Sequence, residues 1–226
     1  PPPPPHPPPP PPPTPPFPYT TLFRSSARRL GMIETGNFED DLARIKEADW
    51  VIEVVKEDMK IKKIVLENAA PHIAPEAIFT SNTSGLSLAE MSAVLPDDLK
   101  PRFCGTHFFN PPRYMKLFEL IPTAASDPEI VDFVAAFARD RLGKGIVMAK
   151  DTPNFIANRV GVHAMMATVQ VMNELGLTIE EIDALTGPAI GRPKTATFKL
   201  ADLVGLDTFV HVADNIYPLI PGDEAR

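Results

Sequence analysis

Residues 77–95 read AIFTSNTSGLSLAEMSAVL. AIFTSNT opens as an apolar run of buried-strand length, and SNTSG closes it with small hydroxyl and amide side chains that favour a turn. From Ser87 the pattern changes: SLAEMSAVL spaces its apolar residues as a helix does, with Ser87 as the expected N-cap and Glu90 at the capping-box position. A strand, a tight polar turn and an amphipathic helix in one short span make a β–α unit, and repeated units of that kind build a mainly parallel sheet.

The alternation extends in both directions from this unit. Upstream, FEDDLARIKEA (38–48) predicts a short amphipathic helix, WVIEVV (50–55) a strand and MKIKKIVLENAAPHI (59–73) a helix. Downstream, RFCGTHFF (102–109), LFELI (117–121) and GIVMAK (145–150) predict strands, with the helix PEIVDFVAAFARDRL (128–142) between the last two. After Lys150 the strands stop. NFIANRVGVHAMMATVQVMNELG (154–176), IEEIDALTG (179–187) and TFVHVADNIY (208–217) are all helical patterns. The fold class is therefore α/β: a partial doubly wound, Rossmann-like parallel sheet over residues 26–151, then an all-α domain over 152–226, with the boundary near DTPN.

The front of the chain is different in kind. Of its 28 prolines, 15 fall between Pro1 and Pro18, and such a tract lacks most backbone donors and cannot build a core. FPYTTLFRS (17–25) reads codon for codon as a translation of the end of a commonly used sequencing-adapter oligonucleotide. Residues 1–25 are therefore set aside as an assembly artefact, and the gene is expected to begin further upstream.

Composition narrows the function. A net charge of −7 supplies no basic stripe to neutralise phosphates, which argues against a nucleic-acid partner or a polybasic membrane binder. No apolar run approaches the roughly 20 residues that a membrane-spanning helix needs. The single cysteine, Cys104, rules out an internal disulfide framework and fits the cytoplasm. The five histidines do not cluster as metal ligands would, so no metal is expected.

Ligands of doubly wound folds bind at the carboxyl ends of the strands. SNTSG closes one such strand, and its side chains suit either a ligand or ordinary turn chemistry. His107 closes the next, where it fits a buried structural imidazole as well as a proton acceptor.

Three motifs separate these readings. THFFNPPRYMKLFEL (106–120), SNTSGLS (81–87) and KDTPNFIANRV (150–160) together resemble the 3-hydroxyacyl-CoA dehydrogenases of fatty-acid β-oxidation, over a stretch running from about Arg28 to Arg226. The resemblance implies that His107 is the catalytic base and Glu119 its paired acid. It implies that Ser84 contacts both substrate and cofactor, that Asn158 is the inter-domain asparagine, and that Asn110, Glu57 and Lys62 contact the cofactor, NAD. The substrate would be an acyl-CoA, and the helical domains would pair two chains into a homodimer. GRPKTATFKLADLVGLDT (191–208) looks more like the long enzymes that fuse this dehydrogenase to an enoyl-CoA hydratase.

The residue types suit the chemistry. Oxidising a 3-hydroxyl needs a group that takes the O–H proton as hydride leaves the same carbon, and imidazole titrates near neutrality. A carboxylate on its other nitrogen would fix the tautomer and stabilise the imidazolium. Ser84 and Asn158, neutral hydrogen-bonders, would hold the hydroxyl and thioester without competing for the proton.

Two departures stand out. The family's first strand leads into a G-x-G-x-x-G turn that meets the cofactor pyrophosphate, and no such motif occurs in this chain, whose only G-x-G is Gly143-Lys144-Gly145. The first βαβ unit is thus expected to be missing, and the chain as written to be inactive. Asn154 also replaces the usual glycine of D-T-P-G-F. The alternatives are another β-hydroxyacid dehydrogenase acting on a free acid, or a binding or structural protein that kept a dehydrogenase scaffold without turnover.

Overall fold

The computed structural model describes residues 31–222. The proline tract and the adapter-like segment lie outside the described residues. The chain divides into two compact units, residues 1–42 and 43–226.

In the first unit the Asn37 side-chain oxygen accepts from the backbone N–H groups of Glu39 and Asp40, each at 2.8 Å. That local bond offers the backbone an alternative to the α-helix. The helix expected over 38–48 is accordingly replaced by a turn and a 3-10 helix, Leu42–Glu47, with no buried residue.

The second unit holds a five-stranded sheet in the order β1-β2-β3-β4-β5, with β1 Trp50–Glu53, β2 Ile78–Ser81, β3 Phe103–Phe108, β4 Leu117–Pro122 and β5 Gly145–Met148. β1–β2, β2–β3 and β4–β5 are parallel, while β3 and β4 are antiparallel. The segment 109–116 joins these two strands and is too short for the crossover of a dozen or more residues that parallel neighbours need. That short link also carries a cis peptide bond between Asn110 and Pro111.

The helices are α1 Met59–Ala69, α2 Leu88–Ser92, α3 Pro128–Asp140, α4 Ala157–Leu175, α5 Ile179–Thr186, α6 Phe198–Val204 and α7 Leu206–Ile216. Four of these helices start on a side-chain cap. Asp58 caps α1 and Asp127 caps α3, where Pro128 takes the first helical position. Ser87 accepts from the Glu90 N–H, the cap expected for α2. Thr178 and Glu181 form a reciprocal capping box on α5. α4 starts later than its sequence pattern suggests, because Asn154 and Phe155 adopt φ of 57° and 50° and cannot continue a right-handed helix. α6, absent from the sequence reading, begins where the buried Asp183 carboxylate accepts from the N–H groups of Thr197, Phe198 and Lys199.

Strand residues alternate between the two faces of a sheet. One face carries Ile78, Cys104, Phe118 and Leu120, which pack against Val131, Val134 and Ala138 of α3. Within it the Trp50 indole donates to Thr80 Oγ1 at 2.9 Å, and Thr106 Oγ1 donates to the same oxygen. The other face carries Phe103, Gly105 and His107. α2 approaches it so closely that a Cβ on residue 105 would lie 2.4 Å from Leu88 Cδ1. Glycine here lets helix and sheet close over each other, and the next residue on this face is His107. Among the described residues no helix is long and apolar enough to cross a membrane.

Candidate active site

His107 and Glu119 are register partners on β3 and β4. Their side chains meet with Nδ1 2.7 Å from Oε2, and they are 3% and 0% exposed. An ionised carboxylate only accepts, so the imidazole donates from Nδ1. The other carboxylate oxygen, Oε1, accepts from the Ala157 N–H at 2.8 Å and the Ile156 N–H at 3.1 Å, where α4 begins. Burial pushes the Glu119 carboxyl up, but the hydrogen bond and charge of His107, with the Ala157 and Ile156 bonds, outweigh it and hold the group below the ordinary glutamate value. Phe109 and Phe155 flank the imidazole, with ring centroids 4.4 and 5.8 Å away.

The turn after β2 is built around Glu57. Its Oε1 accepts from Thr83 Oγ1 at 2.6 Å and from the Ser84 N–H at 2.8 Å. Asn82 Oδ1 accepts from the Phe108 N–H at 2.9 Å, which ties this turn to the end of β3. Asn158, on the first turn of α4, donates from Nδ2 to the Ser84 carbonyl at 3.1 Å. Among the described residues no protein group hydrogen-bonds the hydroxyl of the half-buried Ser84. Asp151 reaches back to α2 and accepts from Ser87 Oγ, the Leu88 N–H and the Ala89 N–H.

Lys62 lies beneath the Glu57 turn. It is 1% exposed, and Nζ donates to Glu53 Oε1 at 2.9 Å, Glu53 Oε2 at 3.1 Å and the Val55 carbonyl at 3.1 Å. The same nitrogen lies 3.2 Å from Glu57 Oε2. Its ammonium is enclosed by protein groups and lies against the Glu57 carboxylate. Glu53 also accepts from Ser81 Oγ at 2.5 Å. Asn110 stands exposed on the loop after β3.

The structure thus links His107, Glu119, Ser84 and Asn158 through α4 and the Ser84 turn, joins Glu57 to them directly and Lys62 through Glu57, and leaves Asn110 outside this network. Sequence reasoning missed Asn82, Asp151, Glu53, Phe155 and the N–H groups of Ile156 and Ala157. Asn82, Asp151 and Phe155 lay inside the quoted motifs, and Glu53 was legible as an acid in the apolar run WVIEVV. Backbone donors leave no trace in a sequence. Among the described residues no three His, Cys, Asp or Glu side chains come together as a metal site.

Two family models match the chain in succession. The family described as 3-hydroxyacyl-CoA dehydrogenase, NAD binding domain, matches residues 23–152, and the corresponding C-terminal domain family matches residues 155–226. A probable 3-hydroxyacyl-CoA dehydrogenase of Bacillus subtilis is 52% identical over 200 residues, covering 88% of this chain and 25% of that protein. One from Deinococcus radiodurans is 45% identical over 196 residues, covering 87% and 57% respectively. A putative fatty acid oxidation complex trifunctional enzyme of Rickettsia felis is 38% identical over 197 residues, covering 87% and 27%. The chain therefore spans between a quarter and just over half of the length of these relatives. Among solved structures, (S)-3-hydroxybutyryl-CoA dehydrogenase from Ralstonia eutropha superposes with a TM-score of 0.75 at 27% identity, covering 89% of this chain and 70% of that one.

Proposed function

The chain belongs to the 3-hydroxyacyl-CoA dehydrogenase family, and on that premise we propose that it carries the proton-transfer site for NAD-dependent oxidation of a 3-hydroxyacyl-CoA to a 3-oxoacyl-CoA in fatty-acid oxidation. The observation that carries this reading is the bridged Glu119, bonded to His107 through one oxygen and to the start of α4 through the other.

In the proposed reaction His107 Nε2 accepts the proton of the 3-hydroxyl while Nδ1–H stays on Glu119. The imidazolium so formed faces a carboxylate already held in place by two backbone donors, so little reorganisation accompanies the charge. Ser84 offers its hydroxyl and Asn158 its amide oxygen, neutral groups suited to holding the substrate oxygens. Phe109 and Phe155 keep water from the imidazole.

The residues present fit the nicotinamide end of NAD. The Ser84 hydroxyl has no hydrogen-bond partner among the described residues, the Glu57 side chain is 34% exposed and Asn110 is exposed. When bound, NAD would take the hydride from the carbon that carries the hydroxyl. The pyrophosphate end has no counterpart, since the 226 residues contain no G-x-G-x-x-G turn, and this chain alone should bind NAD weakly or not at all and show no turnover.

We assign residues 26–151 to the NAD-binding domain and 152–226 to the helical domain, and place the protein in the cytoplasm. A second copy is the proposed partner of the helical domain. In support, the long helix α4 has no buried residue and exposes Val160, Val171 and Leu175. Fusion to an enoyl-CoA hydratase in a longer gene product accords with the trifunctional relative.

Calorimetric titration of NAD tests the reading, using the chain as it stands and a version whose residues 1–25 are replaced by a strand, a G-x-G-x-x-G turn and a helix. Binding and turnover should appear only in the second, and there His107→Ala should lower turnover by about 10²- to 10⁴-fold. Tight NAD binding by the unmodified chain would overturn the missing-turn reading, and near-normal turnover without the imidazole would remove His107 from the mechanism.

A further inference from the structure

Asn154 touches both halves of the site. It adopts φ of 57° and is followed by Phe155 at 50°, a left-handed pair in which asparagine is tolerated and a bulky phenylalanine is an outlier. This bend turns the Phe155 ring onto His107 and presents the next two N–H groups to Glu119. On its other side Asn154 presses against the residue after Ser84. A Cβ on Gly85 would lie 2.1 Å from Asn154 Oδ1, 2.8 Å from its Cα and 2.9 Å from its backbone nitrogen. Glycine is needed at 85 against the backbone of residue 154 as well as against the asparagine amide.

Asn154 also carries a polar fault. It is 9% exposed, and its Nδ2 is buried with no hydrogen-bond partner among the described residues. Glycine would adopt the left-handed conformation without strain and leave no orphan donor. An unfavourable side chain kept where the Ser84 turn meets the start of α4 fits the pattern in which local strain sets functional geometry.

We propose that Asn154 is a positioning residue, a wedge that fixes the separation between the Ser84 turn and the His107–Glu119 pair. This rests on the acyl-CoA reading above. Asn154 itself does no chemistry; it sets where Ser84 and Asn158 stand relative to the base.

The test compares the 226-residue chain with Asn154→Gly, Gly85→Ser and the double variant, reading the thermal midpoint and the calorimetric affinity for acetoacetyl-CoA. Asn154→Gly should leave the midpoint equal or higher while weakening acetoacetyl-CoA binding by roughly tenfold, as a misplaced contact set would. Gly85→Ser should lower the midpoint, and the double variant should recover only the part owed to the amide, because the Cα and backbone nitrogen of residue 154 still lie 2.8 and 2.9 Å from that Cβ. Unchanged affinity in Asn154→Gly would overturn the positioning role, and a lowered midpoint would show the amide satisfied in solution and the residue to be ordinary packing. If the parent unfolds cooperatively yet binds no acetoacetyl-CoA, the acyl-CoA reading itself fails and the wedge has nothing to position.

Discussion

Glu119 stands directly opposite His107 across the antiparallel β3–β4 pair, one carboxylate oxygen 2.7 Å from the imidazole Nδ1. Glu119→Gln keeps the shape of that contact and removes its charge. In a version of the protein able to bind NAD, turnover should fall by about 10²- to 10⁴-fold. Unchanged turnover would reduce Glu119 to a structural role.

The same carboxylate makes stability depend on pH. Its hydrogen bonds hold the folded-state pKa below the ordinary glutamate value despite burial. The stabilisation is therefore fully present above that ordinary value and is lost as the pH falls through the folded one. Unfolding midpoints of the parent and of Glu119→Gln, followed from about pH 7 to about pH 3, should converge on acidification. A constant gap would contradict the linkage.

Cys104 should be inert in the folded protein. It is 1% exposed among Ile78, Phe118 and α3, and burial pushes its thiol up to about 12. Since the thiolate is the reactive form, a thiol reagent at neutral pH should label the chain only as fast as it unfolds. Because the folded pKa is raised, this group's contribution to stability declines as pH rises above the ordinary thiol value. Rapid labelling of the native chain would show that the core opens.

Lys144 pins the loop that carries Asn110. Its Nζ donates to the carbonyls of Pro112 and Met115 and lies 5.5 Å from the Phe108 ring centroid, and burial lowers the pKa of the ammonium. Lys144→Met would leave both carbonyls without that donor. Limited trypsin digestion should then cut faster at Arg113 and Lys116, both exposed. Equal cutting would mean that other contacts hold the loop.

The five strands were legible because their apolar runs are bounded by turn residues, as in WVIEVV and RFCGTHFF. The direction of β4 was not, since both β3 and β4 are buried almost throughout and show no alternation to mark a one-sided sheet. The length of the 109–116 link held that information. α6 escaped notice because it is short and its start is capped by Asp183, from a helix well upstream. At the site, the motifs named His107, Glu119, Ser84 and Asn158. What they could not supply were the protein partners of Lys62, whose ammonium is enclosed by Glu53, Val55 and Glu57, or the backbone donors that hold Glu119.

The segment from Asp151 to Ala157 closes two circuits at once, one onto the start of α2 and one onto Glu119. Its length is consequently locked. A residue inserted between these two anchors would shift one out of register with its partner, whichever side the chain tried to preserve, whereas the turn at the exposed Gly176 bonds only back to its own helix at Met172. Insertional scanning should therefore find a gap in tolerated insertions across 151–157 that side-chain substitutions at the same positions do not reproduce.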